Sequence, residues 1–152
     1  MKMATLCYIR QNNKTLMLHR VKKEGDYHRG KYNGIGGKFE IGESPEDCVI
    51  REVFEETGLT IKDPRLRGMI TFPMFDMVDD WYTFIYTVDE FEGSIKECDE
   101  GNLYWIDNDK VLELNLWDGD RVFLNWIDSN KIFSAKFIYE NKEFKDYTVS
   151  FY

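Results

Sequence analysis

Two apolar-rich segments open the chain, Met3 to Arg10 and Thr15 to Val21, separated by the polar run Gln11 to Lys14. Their β-branched and aromatic content, bounded by turn residues, predicts two strands. The pattern then breaks from Glu24 to Gly37, where Gly25, Gly30, Gly34, Gly36 and Gly37 predict a loop. Helical spacing takes over from Ser44 to Thr57. Leu66 to Phe75 and Trp81 to Phe91 predict long strands turning at Asp76 to Asp80, and Leu103 to Ile106 a shorter one. A second helix is expected over Gly119 to Asp128. Phe133 to Tyr139 and Glu143 to Phe151 predict a closing hairpin through Glu140 to Lys142. Strands interleaved with helices make this an α/β chain with a mixed sheet between helices.

The first helix has well-marked ends. Ser44 can cap the free amides, Pro45 suits the first turn, and Glu46 and Asp47 favour the positive end of the dipole. Gly58 can take the left-handed conformation that stops it. At about 100° per residue, Ile50, Val53, Phe54 and Thr57 gather on one side, expected to pack on a sheet. Glu52, Glu55 and Glu56 gather on the other, with Arg51 one turn before Glu55.

Composition narrows the classes. A chain of 152 residues with 43% apolar content fits one domain with its own core. The aromatic share of 16% fits a tight core or a stacking pocket. Cys7, Cys48 and Cys98 have no metal-ligand spacing, and their odd number argues against a disulfide framework, so a reducing cytoplasm is expected. The segment MKMATLCYIR carries no long apolar run, so neither a signal peptide nor a membrane span is expected. Net charge of −8 weighs against stable nucleic-acid binding. It does not weigh against a small phosphorylated ligand, because a metal ion reverses the sign of an acidic site. Nothing in the pattern selects a monomer over a homodimer.

Three carboxylates on one helical face repel each other. Most Glu-rich faces are simply solvated, but here Gly34-Ile35-Gly36-Gly37 brings backbone carbonyls beside the helix start. Carboxylate, carbonyl and water oxygens suit Mg²⁺, which completes its shell with substrate phosphates. Hydrolysis of a diphosphate bond needs such a set, with the metal neutralising phosphate charge and a held water as nucleophile.

Gly37 to Glu43, followed by Arg51-Glu52-Val53-Phe54-Glu55-Glu56-Thr57-Gly58-Leu59, fills every specified position of G-x5-E-x7-R-E-U-x-E-E-x-G-U. The chain thereby resembles the Nudix hydrolases. The resemblance implies a Nudix fold (α/β/α), metal ligation by Glu52, Glu55, Glu56 and the Gly36 carbonyl, and orientation of the carboxylates by Arg51. Glu43 would support the loop and helix. Mg²⁺ is the implied cofactor, with Mn²⁺ as its substitute. Many members add a metal-linked or water-activating carboxylate from a later loop; among Glu97, Asp99 and Glu100, the step Asp99-Glu100 is similar to that of mammalian oxidised-purine hydrolases and points to Glu100 as a catalytic and metal-binding residue.

Weaker likenesses extend the match. Ala4 to Ile9, Leu16 to Arg20, Ile70 to Pro73, Asp80 to Thr83, Trp117 to Asp120 and Phe133 to Phe137 resemble the MutT/MutX-type 8-oxo-dGTP diphosphatases. That resemblance implies a nucleoside triphosphate substrate cleaved to monophosphate and pyrophosphate in nucleotide-pool sanitation. Asn33 offers a donor and an acceptor to a base edge, Trp117 a stacking surface and Asp120 an acceptor. The bland alternatives are a turn residue, a core residue and a helix cap. Mammalian relatives carry two adjacent acids where this chain has Asp118-Gly119-Asp120, so one acid is displaced. Gly37 and Lys38, in the loop that opens the matched pattern, and Lys23 are candidates to meet the substrate, the two lysines at a phosphate; their alternative is to stand as solvated lysines. His19 and His28 are expected to be structural. Competing functions are hydrolysis of another nucleoside diphosphate derivative, such as ADP-ribose or an RNA cap, and a ligand-binding regulator without chemistry.

Overall fold

A computed structural model describes residues Met1–Tyr152. Its strands are β1 (Lys2–Gln11), β2 (Lys14–His19), β3 (Tyr32–Asn33), β4 (Thr60–Lys62), β5 (Arg65–Phe72), β6 (Trp81–Val88), β7 (Glu90–Glu92), β8 (Asn102–Asp107), β9 (Phe133–Glu140) and β10 (Glu143–Phe151). The helices are α1 (Pro45–Thr57) and α2 (Asp118–Phe123), with a 3-10 turn over Asn108–Glu113.

Eight strands form one mixed sheet in the order β10-β9-β5-β6-β1-β2-β3, with β8 on β2. The parallel pairs are β1–β6 and β5–β9; the remaining ladders of this sheet are antiparallel. A parallel sheet interior needs cover on both faces, and alternation along the strands supplies two cores. In β1, Cys7 and Ile9 join Val49, Val53 and Tyr86 beneath α1. Tyr8 points the other way, into the cluster with Ile85, Trp117, Phe123 and Phe137. The sheet is therefore flanked by helices, as expected for α/β.

Two expectations are corrected. The packing face of α1 is Cys48, Val49, Val53 and Thr57, whereas Ile50 and Phe54 are exposed at 37% and 52%. The acidic residues Glu52 and Glu56 share the inward edge, so the helix is rotated toward its carboxylates. The second helix is a single short segment ending at Phe123 rather than reaching Asp128. Smaller differences follow from pairing. The expected strand Trp81 to Phe91 breaks at Asp89, and its tail β7 leaves the main sheet to pair with β4. The glycine-rich loop contains β3, because β1 and β2 diverge after Ile9↔Leu16 and the segment from Tyr32 pairs into the gap: Asn33 opposite Leu18, Ile35 opposite Cys7, Lys38 opposite Ala4. That insertion lays the loop against α1.

Candidate active site

The ends of α1 are fixed by their own residues. Ser44 Oγ accepts from Asp47 N at 3.1 Å and the Asp47 carboxylate accepts from Ser44 N at 3.0 Å, a reciprocal cap. Gly58, at φ 82°, closes the helix with its N–H on the Phe54 carbonyl. With the helix anchored, Arg51 binds Glu43 through Nε to Oε2 at 2.7 Å and Nη2 to Oε1 at 2.9 Å. Its Nη1 also donates to Glu52 at 2.9 Å and Glu55 at 3.1 Å, and Nη2 to the Lys38 carbonyl at 3.0 Å. One guanidinium thus ties the loop to the acidic helix. Glu43, with the Arg51 fork and the Glu40 amide on it, is held down at about 2.

A cavity of about 500 Å³ opens beside this helix. Glu52, Glu56 and Glu100 line it, as do Arg20, Lys23 and Lys38. Close backbone approach makes this possible: a Cβ on Gly37 would lie 2.5 Å from the Glu52 carboxyl, and one on Gly36 would lie 1.9 Å from the Thr5 carbonyl. Gly36 N–H donates to Glu56 Oε2 at 3.2 Å, while the Gly36 carbonyl accepts no hydrogen bond.

The acids are uncomfortable as they stand. Burial, and then Glu100 and Glu52 facing it, push Glu56 well above the carboxylate range. Burial also raises Glu52, against the pull of Arg51. Glu100 Oε2 is buried with no hydrogen-bond partner, and the Arg20 guanidinium stands 3.6 Å away, itself engaged by Asp26 through Nε at 2.8 Å. These are the marks of a site short of positive charge. No three acidic, His or Cys side chains converge into a ready-made cage. The Glu52 and Glu56 carboxylates and the open Gly36 carbonyl are hard oxygen donors of the kind that suits Mg²⁺, which takes one or two carboxylates and finishes its shell with substrate phosphates and water.

The structure separates the candidate acids. Glu52, Glu56 and Glu100 reach the cavity; Glu55 does not line it and stays 54% exposed against Arg51. Glu97 is 95% exposed beside Lys22 and Asp99 is exposed, so Glu100 alone of the later-loop acids reaches the site. Lys23 and Lys38 line the cavity without an acidic partner. Lys38 Nζ lies 5.7 Å from the centre of the Trp81 ring.

Asn33, Trp117 and Asp120 line the same cavity. Asn33 is nearly buried, and its side-chain amide makes no hydrogen bond in the protein. Asp120 lies inside α2 rather than at its cap, whose N-terminus has no side-chain cap bond. Burial raises its carboxyl to about 7, against the pull of Arg121 and Lys31. Trp117 is both cavity wall and core, 6% exposed, stacked near Tyr27 and met edge-on by His28, Phe75 and Tyr139. Tyr27, His28, Phe72, Phe75, Trp81 and Phe123 were not singled out as lining residues by the sequence pattern. The high aromatic content was their signal, but it does not say which rings face a cavity.

The NUDIX domain model matches residues 1–127, and the chain belongs to the Nudix family. It is an enzyme of the Nudix hydrolase class. It is 35% identical over 127 residues to an uncharacterized Nudix hydrolase, YvcI, of Bacillus subtilis (strain 168), covering 81% of this chain and 77% of that protein. An oxidized purine nucleoside triphosphate hydrolase of Danio rerio is 31% identical over 142 residues, with 93% and 89% covered. The crystal structure of a mutator MutT protein from Bacillus halodurans superposes with a TM-score of 0.88 at 31% identity, covering 99% of this chain and 98% of that one.

Proposed function

We propose that the chain hydrolyses purine nucleoside triphosphates, with 8-oxo-dGTP as the favoured substrate, to the monophosphate and pyrophosphate. The observation that carries this reading is one cavity with two chemistries. Half-buried acids short of a cation and two lysines without an acidic partner share the cavity with aromatic rings, the free Asn33 amide and the Asp120 carboxyl. Likeness to the Danio rerio oxidized purine nucleoside triphosphate hydrolase and to the Bacillus halodurans MutT structure supports the same class of substrate.

Glu52 and Glu56 would hold Mg²⁺, or Mn²⁺, with the free Gly36 carbonyl, and Glu55 would add its negative charge from the same helix. When bound, the metal neutralises phosphate charge and lowers the pKa of coordinated water. The protein supplies the remainder. Lys23 and Lys38 bind phosphate oxygens, and Gly37 leaves room for the Glu52 carboxylate. Arg51 fixes Glu52 and Glu55 so that little reorganisation accompanies attack. Glu100 Oε2, which has no hydrogen-bond partner, accepts a proton from the attacking water. The water oxygen bonds to phosphorus, the bridging P–O bond breaks, and pyrophosphate leaves. Trp117 supports the base, while Asn33 and Asp120 read its edge.

The test is a panel of nucleoside triphosphates, ADP-ribose and capped RNA, scored for pyrophosphate, monophosphate and orthophosphate. Monophosphate and pyrophosphate from purine triphosphates are expected. Orthophosphate as the primary product, or turnover confined to ADP-ribose or capped RNA, would overturn the reading; tight binding without turnover would favour a regulator.

A further inference from the structure

His28 was expected to be merely structural, and its surroundings give it a more definite task. It lies in the loop between β2 and β3 and lines the cavity. Its Nδ1 accepts the Nε1–H of Trp117 at 2.9 Å. The ring also stacks on Phe75, with centroids 6.0 Å apart, and meets Tyr27 edge-on at 5.9 Å. Trp117 sits just before α2, so this bond joins two cavity-lining segments distant in sequence.

We infer that His28 is a positioning residue that fixes the indole of Trp117 as a wall of the substrate cavity and takes up its single donor. The inference rests on the purine-nucleotide reading for its consequence, though not for the bond itself. Indole nitrogen is a donor only, and imidazole accepts through one nitrogen only while neutral. Burial, reinforced by Arg20, moves His28 from 6.5 down to about 4, so the neutral ring persists through physiological pH. With Nδ1 as acceptor, the ring proton resides on Nε2. Trp117 then offers a nucleotide its ring but no hydrogen bond. Discrimination between bases falls to Asn33 and Asp120. Lys31, 5.1 Å from the Trp117 ring centre and reaching Asn115 Oδ1 and the Leu116 carbonyl at 3.4 Å, supports the indole further.

The test combines a spectrum and a kinetic split. In ¹⁵N-labelled protein without nucleotide, the Trp117 indole N–H, assigned by its loss in Trp117→Phe, should lie downfield of a free indole and exchange slowly with water. His28→Phe removes the acceptor and should move the resonance upfield; His28→Asn keeps an acceptor oxygen and should restore it. With 8-oxo-dGTP and dGTP, His28→Phe should raise KM about fivefold for both, the worth of one ordinary hydrogen bond. The turnover number should stay within about twofold, the ratio between the nucleotides should hold, and His28→Asn should recover KM.

A fast-exchanging, unshifted Trp117 N–H in the wild type would overturn the inference, and this measurement needs no variant to fold. So would a His28→Phe protein with KM unchanged and turnover reduced, since His28 would then act at the phosphates. If neither nucleotide is hydrolysed, the substrate reading fails while the unliganded spectrum still decides the role of His28.

Discussion

Arg51 grips Glu43 with two parallel bonds, Nε to Oε2 at 2.7 Å and Nη2 to Oε1 at 2.9 Å, and this pair joins the loop before α1 to the acidic face of the helix. A planar fork on a carboxylate fixes direction as well as distance, which a lysine cannot reproduce. Arg51→Lys should therefore keep the charge but lose the alignment of Glu52 and Glu55. Turnover should fall by roughly tenfold or more on the scale of single electrostatic groups in active sites, with far-ultraviolet circular dichroism unchanged. Full activity in that variant would mean the fork has no part in catalysis.

Glu43 also makes a pH prediction. Its carboxyl is lowered from 4.5 to about 2 in the folded protein. A lowered folded value stabilises above the unfolded value, and the contribution is lost as pH falls through the folded one. Wild type should be more stable than Glu43→Gln above about pH 4.5, with the gap closing between about 4.5 and 2. Melting curves of the two proteins across that window check this; a gap independent of pH would refute it.

Asp120 predicts the opposite slope. Burial raises its carboxyl from 3.8 to about 7. The folded protein holds this proton more tightly than the unfolded chain, so stability is lost as pH rises from about 3.8, and the loss is complete above about 7. Asp120→Asn, which is neutral throughout, should gain on wild type across this range by up to roughly 4 kcal/mol. Denaturant titrations at pH 5 and 8 measure the difference. Equal gaps at the two values would show that Asp120 ionises normally.

The acids of the helix should divide by position. Glu56→Gln should lower turnover at least about 100-fold while raising the melting temperature at neutral pH, because folding drives the Glu56 carboxyl far above its ordinary range, a cost that the neutral amide does not carry. Gly37→Ala should act through Glu52, whose carboxyl lies 2.5 Å from the added methyl. A flexible side-chain end can yield, so this variant should fold but lose activity. A variant of either kind with wild-type turnover in Mg²⁺ would contradict the assignment of that residue.

Much of this was readable along the chain because the local rules agree. Ser44, Pro45 and Gly58 bound α1 by capping chemistry alone, and the box residues name the acids before any contact is seen. What the chain pattern missed depends on tertiary pairing. The rotation of α1 is decided by the sheet beneath Val49 and Val53, and helical spacing does not distinguish that face from Ile50 and Phe54. The strand β3 exists because β1 and β2 diverge. Glu100 stands apart from Glu97 and Asp99 only once the loop is folded. The Trp117–His28 bond joins residues 89 positions apart, with no local signature in either segment.

The central claim is that one cavity joins phosphoanhydride hydrolysis to recognition of an oxidised purine. It is tested most directly by the ratio of kcat/KM for 8-oxo-dGTP to that for dGTP, measured with Mg²⁺ in wild type and in Asn33→Ala. Wild type should favour the oxidised base, and Asn33→Ala should lose most of that preference while still hydrolysing both nucleotides, as expected if the Asn33 amide reads the base edge and the acids act at the phosphates. Equal efficiencies in wild type would contradict the claim.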